Sequence, residues 1–242
     1  MAEAPADPTG AAEKGPASET VRVLGVDAAG KHDWLGVVVD EDGFVGATVG
    51  SLATILDWAE PVAAVGIDIP IGGARGAGRA ADVEARRFVR PRGSSVFPAP
   101  PLDVYEAADY KEANEILLSL GLKKLSQQAW ALMPKIREVA VLAKADPRVF
   151  EVHPEVSFRE LAGVGIPWSK RSWNGLQLRR RLLVAAGIEI PEEVPGVSDA
   201  GADDMLDAAV AAWSARRKAA GIARCLPVEP QASQDHDIVI WY

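Results

Sequence analysis

Acidic side chains end or interrupt the apolar runs of this chain at four places, and together they have the makings of a metal site. Asp27 closes the run VRVLGVD and Asp68 closes AAVGID. Glu151 lies within VFEVHPE, and Asp203, Asp204 and Asp207 open the stretch DDMLDAAVAAWSAR. A carboxylate at the end of a hydrophobic strand is costly to bury unpaired. Several of them, gathered by neighbouring strands, repel one another unless a cation sits between them. An oxygen-rich set without soft ligands suits Mg²⁺ or Mn²⁺. Two such ions, about 3.5–4 Å apart, are a standard device for cleaving phosphodiesters. Asp27, Asp68, Asp204 and Asp207 are therefore the expected ligands. Glu151 and His153 are expected as further catalytic groups.

Each acid also has a plainer use. Asp27 could cap a turn in VDAAG, and Asp68 precedes the extended Ile69-Pro70 segment, where aspartates are common. Glu151 could pair with Arg148 or Arg159. The helical trio falls within about a 100° arc at 3.6 residues per turn, apart from the apolar Leu206, Val210 and Trp213. Aspartate is also favoured near helix N-termini by capping and by the macrodipole. His153 follows Glu151 by two, so on a strand both point to one face. It could position or deprotonate a water, or be a hydrogen-bonded structural histidine. Lys31, just past the first strand, could meet a phosphate or stay solvated.

Arginines supply the opposite charge. Arg75, Arg79, Arg86, Arg87, Arg90 and Arg92 fall within eighteen residues, and guanidinium forks match phosphate oxygens. Arg75, Arg79, Arg86 and Arg87 are the expected substrate contacts, because their segment leaves the strand that ends at Asp68. A second cluster comprises Lys170, Arg171, Arg179, Arg180 and Arg181. Both clusters could equally be solvated helix faces.

The elements that must hold these groups can be read from the pattern. VRVLGV is a near-continuous apolar run, as in a central buried strand. WLGVVVD and FVGATVG follow, with a turn at Asp42-Gly43. SLATILDWAE has helical spacing with Ser51 as N-cap, and AAVGIDI is a fourth strand. Residues 70–148 form a largely helical insertion, in which Pro134 should kink or divide a helix. VFEVHP is the fifth strand. Helices follow at about 172–186 and 202–219, the latter stopped at Gly221. DIVIWY forms a short extra strand or an apolar tail. This order is that of an α/β, ribonuclease H-like fold: a five-stranded mixed sheet flanked by helices, with a helical insertion after the fourth strand. Asp27 and Asp68 would then end neighbouring parallel strands, in the crevice where α/β sheets bind ligands.

Composition narrows the classes. The chain has 242 residues, nearly half of them apolar, enough for one large core. The single Cys225 excludes an internal disulfide and a cysteine-based zinc site. No apolar stretch is long enough to span a membrane, and residues 1–20 lack the core segment of a signal peptide. A cytoplasmic protein is expected, with a disordered tail over 1–20 and one domain over 21–242. The tail carries four acids and one lysine, −3 of the formal −8, which leaves the body at −5. That balance opposes strong non-specific nucleic-acid binding but permits a locally basic groove.

The segments GVDAAG, GIDIPIG, ARGAGRAADVEARR, RGSSVFPAPP, LSQQAW, PKIREV, FEVHPEVSF and DDMLDAAVAAW occur in this order. Together they resemble a bacterial and archaeal family of unknown function described as ribonuclease H-fold nucleases, over about residues 21–242. By resemblance to ribonuclease H-like resolvases, Asp27, Asp68 and the Asp204/Asp207 pair match acidic positions, and Glu151 has no firm counterpart. The resemblance implies a Mg²⁺- or Mn²⁺-dependent nuclease with DNA or RNA as substrate. One alternative is an ATP-using phosphotransferase of the sugar kinase and actin group, although a duplicated core is lacking. Another is a non-catalytic nucleic-acid-binding module.

Overall fold

A computed structural model of the protein describes residues 20–30, 33–197, 200–233 and 237–242. The expected disordered tail and Lys31 lie outside the described residues, Thr20 excepted. Val23–Ala29 forms β1, Asp33–Val39 β2 and Phe44–Gly50 β3, an antiparallel run in which β1 and β2 are almost wholly buried. Gly43 turns the chain between β2 and β3 with φ of 122°, a conformation that favours glycine. Leu52–Ala59 forms α1. Its cap is the expected one: the Thr54 N–H donates to Ser51 Oγ at 3.2 Å. Val65–Ile67 then forms β4, parallel to β1, and Val149–Glu151 forms β5, parallel to β4. The sheet order is β3-β2-β1-β4-β5. It is the expected five-stranded mixed sheet, with β1 central.

Helices cover both faces. Between β4 and β5 run α2 (Ala80–Phe88), two 3-10 turns at Gly93–Ser95 and Leu102–Val104, α3 (Tyr110–Ser119), α4 (Gln127–Ala131) and α5 (Met133–Ala145). Pro134 sits in the first turn of α5 and the break falls at Leu132, so the proline divides two helices. Met133, Ile136 and Val139 of α5 pack with Leu24, Val26, Val65, Ile67 and Ile55 on one face. Helix α5, at the end of the 70–148 segment, is thus part of the core.

After β5 come α6 (Pro154–Ala162), α7 (Trp173–Ala185) and α8 (Ala202–Ala219). Helix α6 is not announced by the pattern. Of the strand and the apolar tail that DIVIWY allows, the strand is found: Ile238–Trp241 is β7, paired antiparallel with β6, Cys225–Gln231. Strand β6 carries Pro227 and Pro230, residues that speak against a strand in sequence and are tolerated at an edge. Among the described residues there is one five-stranded and one two-stranded sheet. No helix among them is long and apolar enough to cross a membrane.

The second face of the sheet carries α8, and two glycines set its distance. A Cβ at Gly25 would lie 2.1 Å from both the Ala208 carbonyl oxygen and the Ala212 nitrogen. One at Gly66 would lie 2.9 Å from the Ala211 oxygen. The helix answers with Ala208, Ala211, Ala212 and Ala215, all fully buried. Small residues on both sides let the α8 backbone rest on β1 and β4. Gly66→Ala is expected to push α8 away and to destabilise the fold by about 1–3 kcal/mol, the usual cost of overpacking. Urea denaturation measures it. An unchanged midpoint would mean that α8 is free to shift.

Candidate metal centre

Register decides which acids meet. Val26 of β1 pairs with Ile67 of β4, and the Asp68 N–H donates to the Val26 carbonyl at 2.8 Å. Asp27 and Asp68 are the next residues along two parallel neighbours. They share the face of Gly25 and Gly66, two positions earlier, by the two-residue alternation of strands. That is the face on which α8 rests. Asp207 stands just before Ala208, the residue seated on Gly25. Oxygens of Asp27, Asp68 and Asp207 consequently all lie within 4.8 Å of one another. Asp27 and Asp207 are buried and Asp68 is half-buried.

Three carboxylates this close are hard to ionise together. Burial, then the charges of Asp68 and Asp207, hold the Asp27 carboxyl well above the usual range, against the pull of Lys170. Burial and Asp207 push Asp68 up to about 8. Burial also raises Asp207, to about 6, with Lys170 holding it back. The Lys170 ammonium bonds Asp207 Oδ2. Although burial opposes its charge, the attraction of Asp207, Asp27 and Asp68 prevails, and its pKa is raised.

The group fits a cation. Asp207 Oδ1 is buried with no hydrogen-bond partner, and leaving such an oxygen unsatisfied is costly. Three oxygen donors, none of them soft, face a common point, and a hard divalent ion there would satisfy the orphan and the mutual repulsion together. The cluster can therefore hold a metal ion.

The other expected residues are placed differently. Asp204 is half-buried in the first turn of α8, one turn farther out than Asp207, and is not part of the triad. Asp203 lies 3.8 Å from Lys170 and 3.4 Å from Arg171, so its charge is balanced by bases at the helix N-terminus. Glu151 corrects the sequence expectation. It pairs in register with Ile67, not Asp68, and so faces the other side of the sheet. There it accepts the Ile71 N–H at 2.6 Å and an ion pair from Arg79, rather than from Arg148 or Arg159. Arg79 is itself 1% exposed, with Asp82 at 3.5 Å. Its guanidinium is spent inside the protein and is not available to a substrate phosphate. Arg75, Arg86 and Arg87 are exposed, and Arg86 Nε donates to the Val96 carbonyl.

His153 stands at the N-cap position of α6 without a side-chain cap bond, half-buried, with Nδ1 buried and unpartnered. Burial, then the Lys170 charge, pull its pKa down to about 4, so the ring is neutral at neutral pH. Lys170 itself reads in sequence only as one of a basic cluster with Arg179. Nothing in its spacing announces a partner 37 residues away. A hollow of about 340 Å³ is lined by Ala29 and Gly30 at the end of β1, Asp33, Val49, Gly196, Val197 and Ala200.

A family profile described as a protein of unknown function, DUF429, matches residues 25–232. The chain belongs to the DUF429 family. All three carboxylates of the triad, and Lys170, fall inside the DUF429 region. No curated protein and no solved structure matches the chain.

Proposed function

We propose that this DUF429 protein is a Mg²⁺- or Mn²⁺-dependent nuclease that hydrolyses phosphodiesters of DNA or RNA on a ribonuclease H-like core. One observation carries the reading. Asp27, Asp68 and Asp207, from β1, β4 and α8, converge at the carboxyl edge of the sheet and leave a buried Asp207 oxygen unpartnered. The central β1, with β4 parallel beside it, supports the ribonuclease H-like reading. The all-oxygen donor set favours Mg²⁺ or Mn²⁺ over softer metals.

When bound, such an ion supplies Lewis-acid charge to a phosphoryl oxygen. The triad holds and orients it. His153, just past β5, keeps a neutral ring with an unpartnered Nδ1, and is the candidate acceptor of a water proton once substrate is bound. The exposed Arg75, Arg86 and Arg87 supply local positive charge, which an acidic protein needs to hold a polyanion.

The test is a cleavage assay on a panel of structured and single-stranded DNA and RNA, with Mn²⁺, with Mg²⁺ and with chelator. Cleavage that requires the ion and stops on chelation is expected. ATP turnover in place of cleavage would move the site to phosphotransfer, and ion-independent binding without cleavage would make the protein a binding module.

A further inference from the structure

The centre contains a cation of its own. The Lys170 ammonium bonds Asp207 Oδ2 and lies 3.8 Å from Asp203 Oδ2. It is no loose surface lysine, because its side chain is 32% exposed and its loop is tied down. Ser172 Oγ donates to the Ser169 carbonyl at 2.7 Å and accepts the Gly175 N–H at 3.2 Å. A Cβ at Gly175 would meet the Ser169 oxygen at 1.8 Å, so glycine alone lets this loop fold onto α7. Arg179 reaches the Trp168 carbonyl at 3.4 Å, and is itself gripped by both oxygens of Glu155 at 2.7 and 2.8 Å. Lys170 is thus held in place from α6 and α7 while Asp207 is held by α8. Such support is what keeps a functional group at fixed geometry.

We infer that Lys170 stands where a second metal ion would, and that the centre takes one divalent ion rather than two. The inference rests on the metal-dependent reading above. Two ions about 3.5–4 Å apart need a carboxylate that offers an oxygen to each. Of the two buried triad carboxylates, Asp27 already accepts the Ala28 N–H on Oδ1 at 2.8 Å and Asp207 holds Lys170 on Oδ2, so each has one oxygen engaged. Charge agrees. Within the triad itself the three carboxylates carry −3, which one divalent ion and one ammonium cancel. A second divalent ion would add uncompensated positive charge within contact range of the ammonium, where like charges repel strongly. Lys170 then does by charge what a second ion does elsewhere: it neutralises the site and faces a phosphoryl oxygen, without exchanging with solvent.

Calorimetric titration of the full chain with Mn²⁺ counts the ions, and electron paramagnetic resonance detects coupling between neighbouring Mn²⁺ ions. The wild type is expected to bind one Mn²⁺ with no spin–spin coupling. Lys170→Gln, its fold checked by circular dichroism, is expected to bind two with coupling, and Lys170→Arg to return to one. Two ions in the wild type, one in folded Lys170→Gln, or two in Lys170→Arg would overturn the single-ion inference and leave the nuclease reading standing. No binding at millimolar Mn²⁺ in the wild type would overturn both. Should Lys170→Gln not fold, the wild-type count still decides.

Discussion

Asp27→Asn is expected to weaken Mn²⁺ binding at least ~100-fold and abolish ion-dependent cleavage, yet to raise the melting temperature of the ion-free protein. The loss follows from the donor count. Removing even an outer partner of a metal ligand costs ~10–100-fold in affinity, and Asp27 is one of three facing ligands. The gain follows from repulsion. Without an ion, the folded protein must hold protons on this cluster that the unfolded chain releases near pH ~3.9. Asp68 keeps its proton to about 8. The sign is then fixed: across roughly pH 4–8 the folded state binds more protons than the unfolded one, so the ion-free protein loses stability as pH rises. Asp27 and Asp68 share a side-chain hydrogen bond, which requires a proton on one of the two carboxyls. The amide that Asp27→Asn introduces supplies that bond at every pH, so the variant should show a flatter stability profile and melt higher at pH 8. For a domain of this size each kcal/mol shifts the melting temperature by about 2–4 °C. Melting curves at pH 5 and pH 8, with and without Mn²⁺, measure all of this. A variant that melts lower than wild type at pH 8 in chelator would mean that Asp27 is a structural cap and not a strained ligand.

Asp27 and Asp68 can be read from sequence because each ends an apolar run. A carboxylate there has few neutral explanations, and strand order brings the two ends together. Asp207 can be read only as one of three, because Asp203, Asp204 and Asp207 share an arc of the helical wheel. What separates them is depth. Asp207 alone reaches the level of Gly25 and Gly66, where α8 touches the sheet. The alanine run AAVAA carries a trace of that contact, since a helix that presents only methyl groups packs close. Glu151 misleads because its face depends on register: one residue of offset against Asp68 places it across the sheet, as strand alternation requires. Lys170 is not legible as a site residue, since its role depends on the fold of the Ser169–Ser172 loop against α7. The order of the five strands is legible, and β6, with its two prolines, is not.

The arginine segment after Asp68 separates into two kinds, and Arg79→Met should show it. The Arg79 guanidinium is enclosed between Glu151 and Asp82, with the Gly72 carbonyl 3.3 Å from Nη1. Asp82 in turn accepts the Ala99 N–H at 2.8 Å. This one cation therefore ties the end of β5, the loop after β4, and α2 with the Pro98–Pro101 turn. Removing it leaves two buried carboxylates facing each other without a counter-charge, and breaking a buried pair in this way costs about 3–5 kcal/mol. Arg79→Met keeps the volume and removes the charge, so the loss would be electrostatic and not a cavity effect. Guanidinium denaturation should report it in full, and the folded fraction should bind nucleic acid as the wild type does. Arg87→Gln, at an exposed position, should do the opposite. Its stability should stay within about 0.5 kcal/mol of wild type, while nucleic-acid binding weakens across sequences and the salt slope falls by about 1. If Arg79→Met keeps its stability and loses substrate affinity, the buried pair is dispensable and Arg79 reaches the substrate after all. If Arg87→Gln leaves the salt slope intact, a basic surface must be sought on α7, at Arg180 and Arg181.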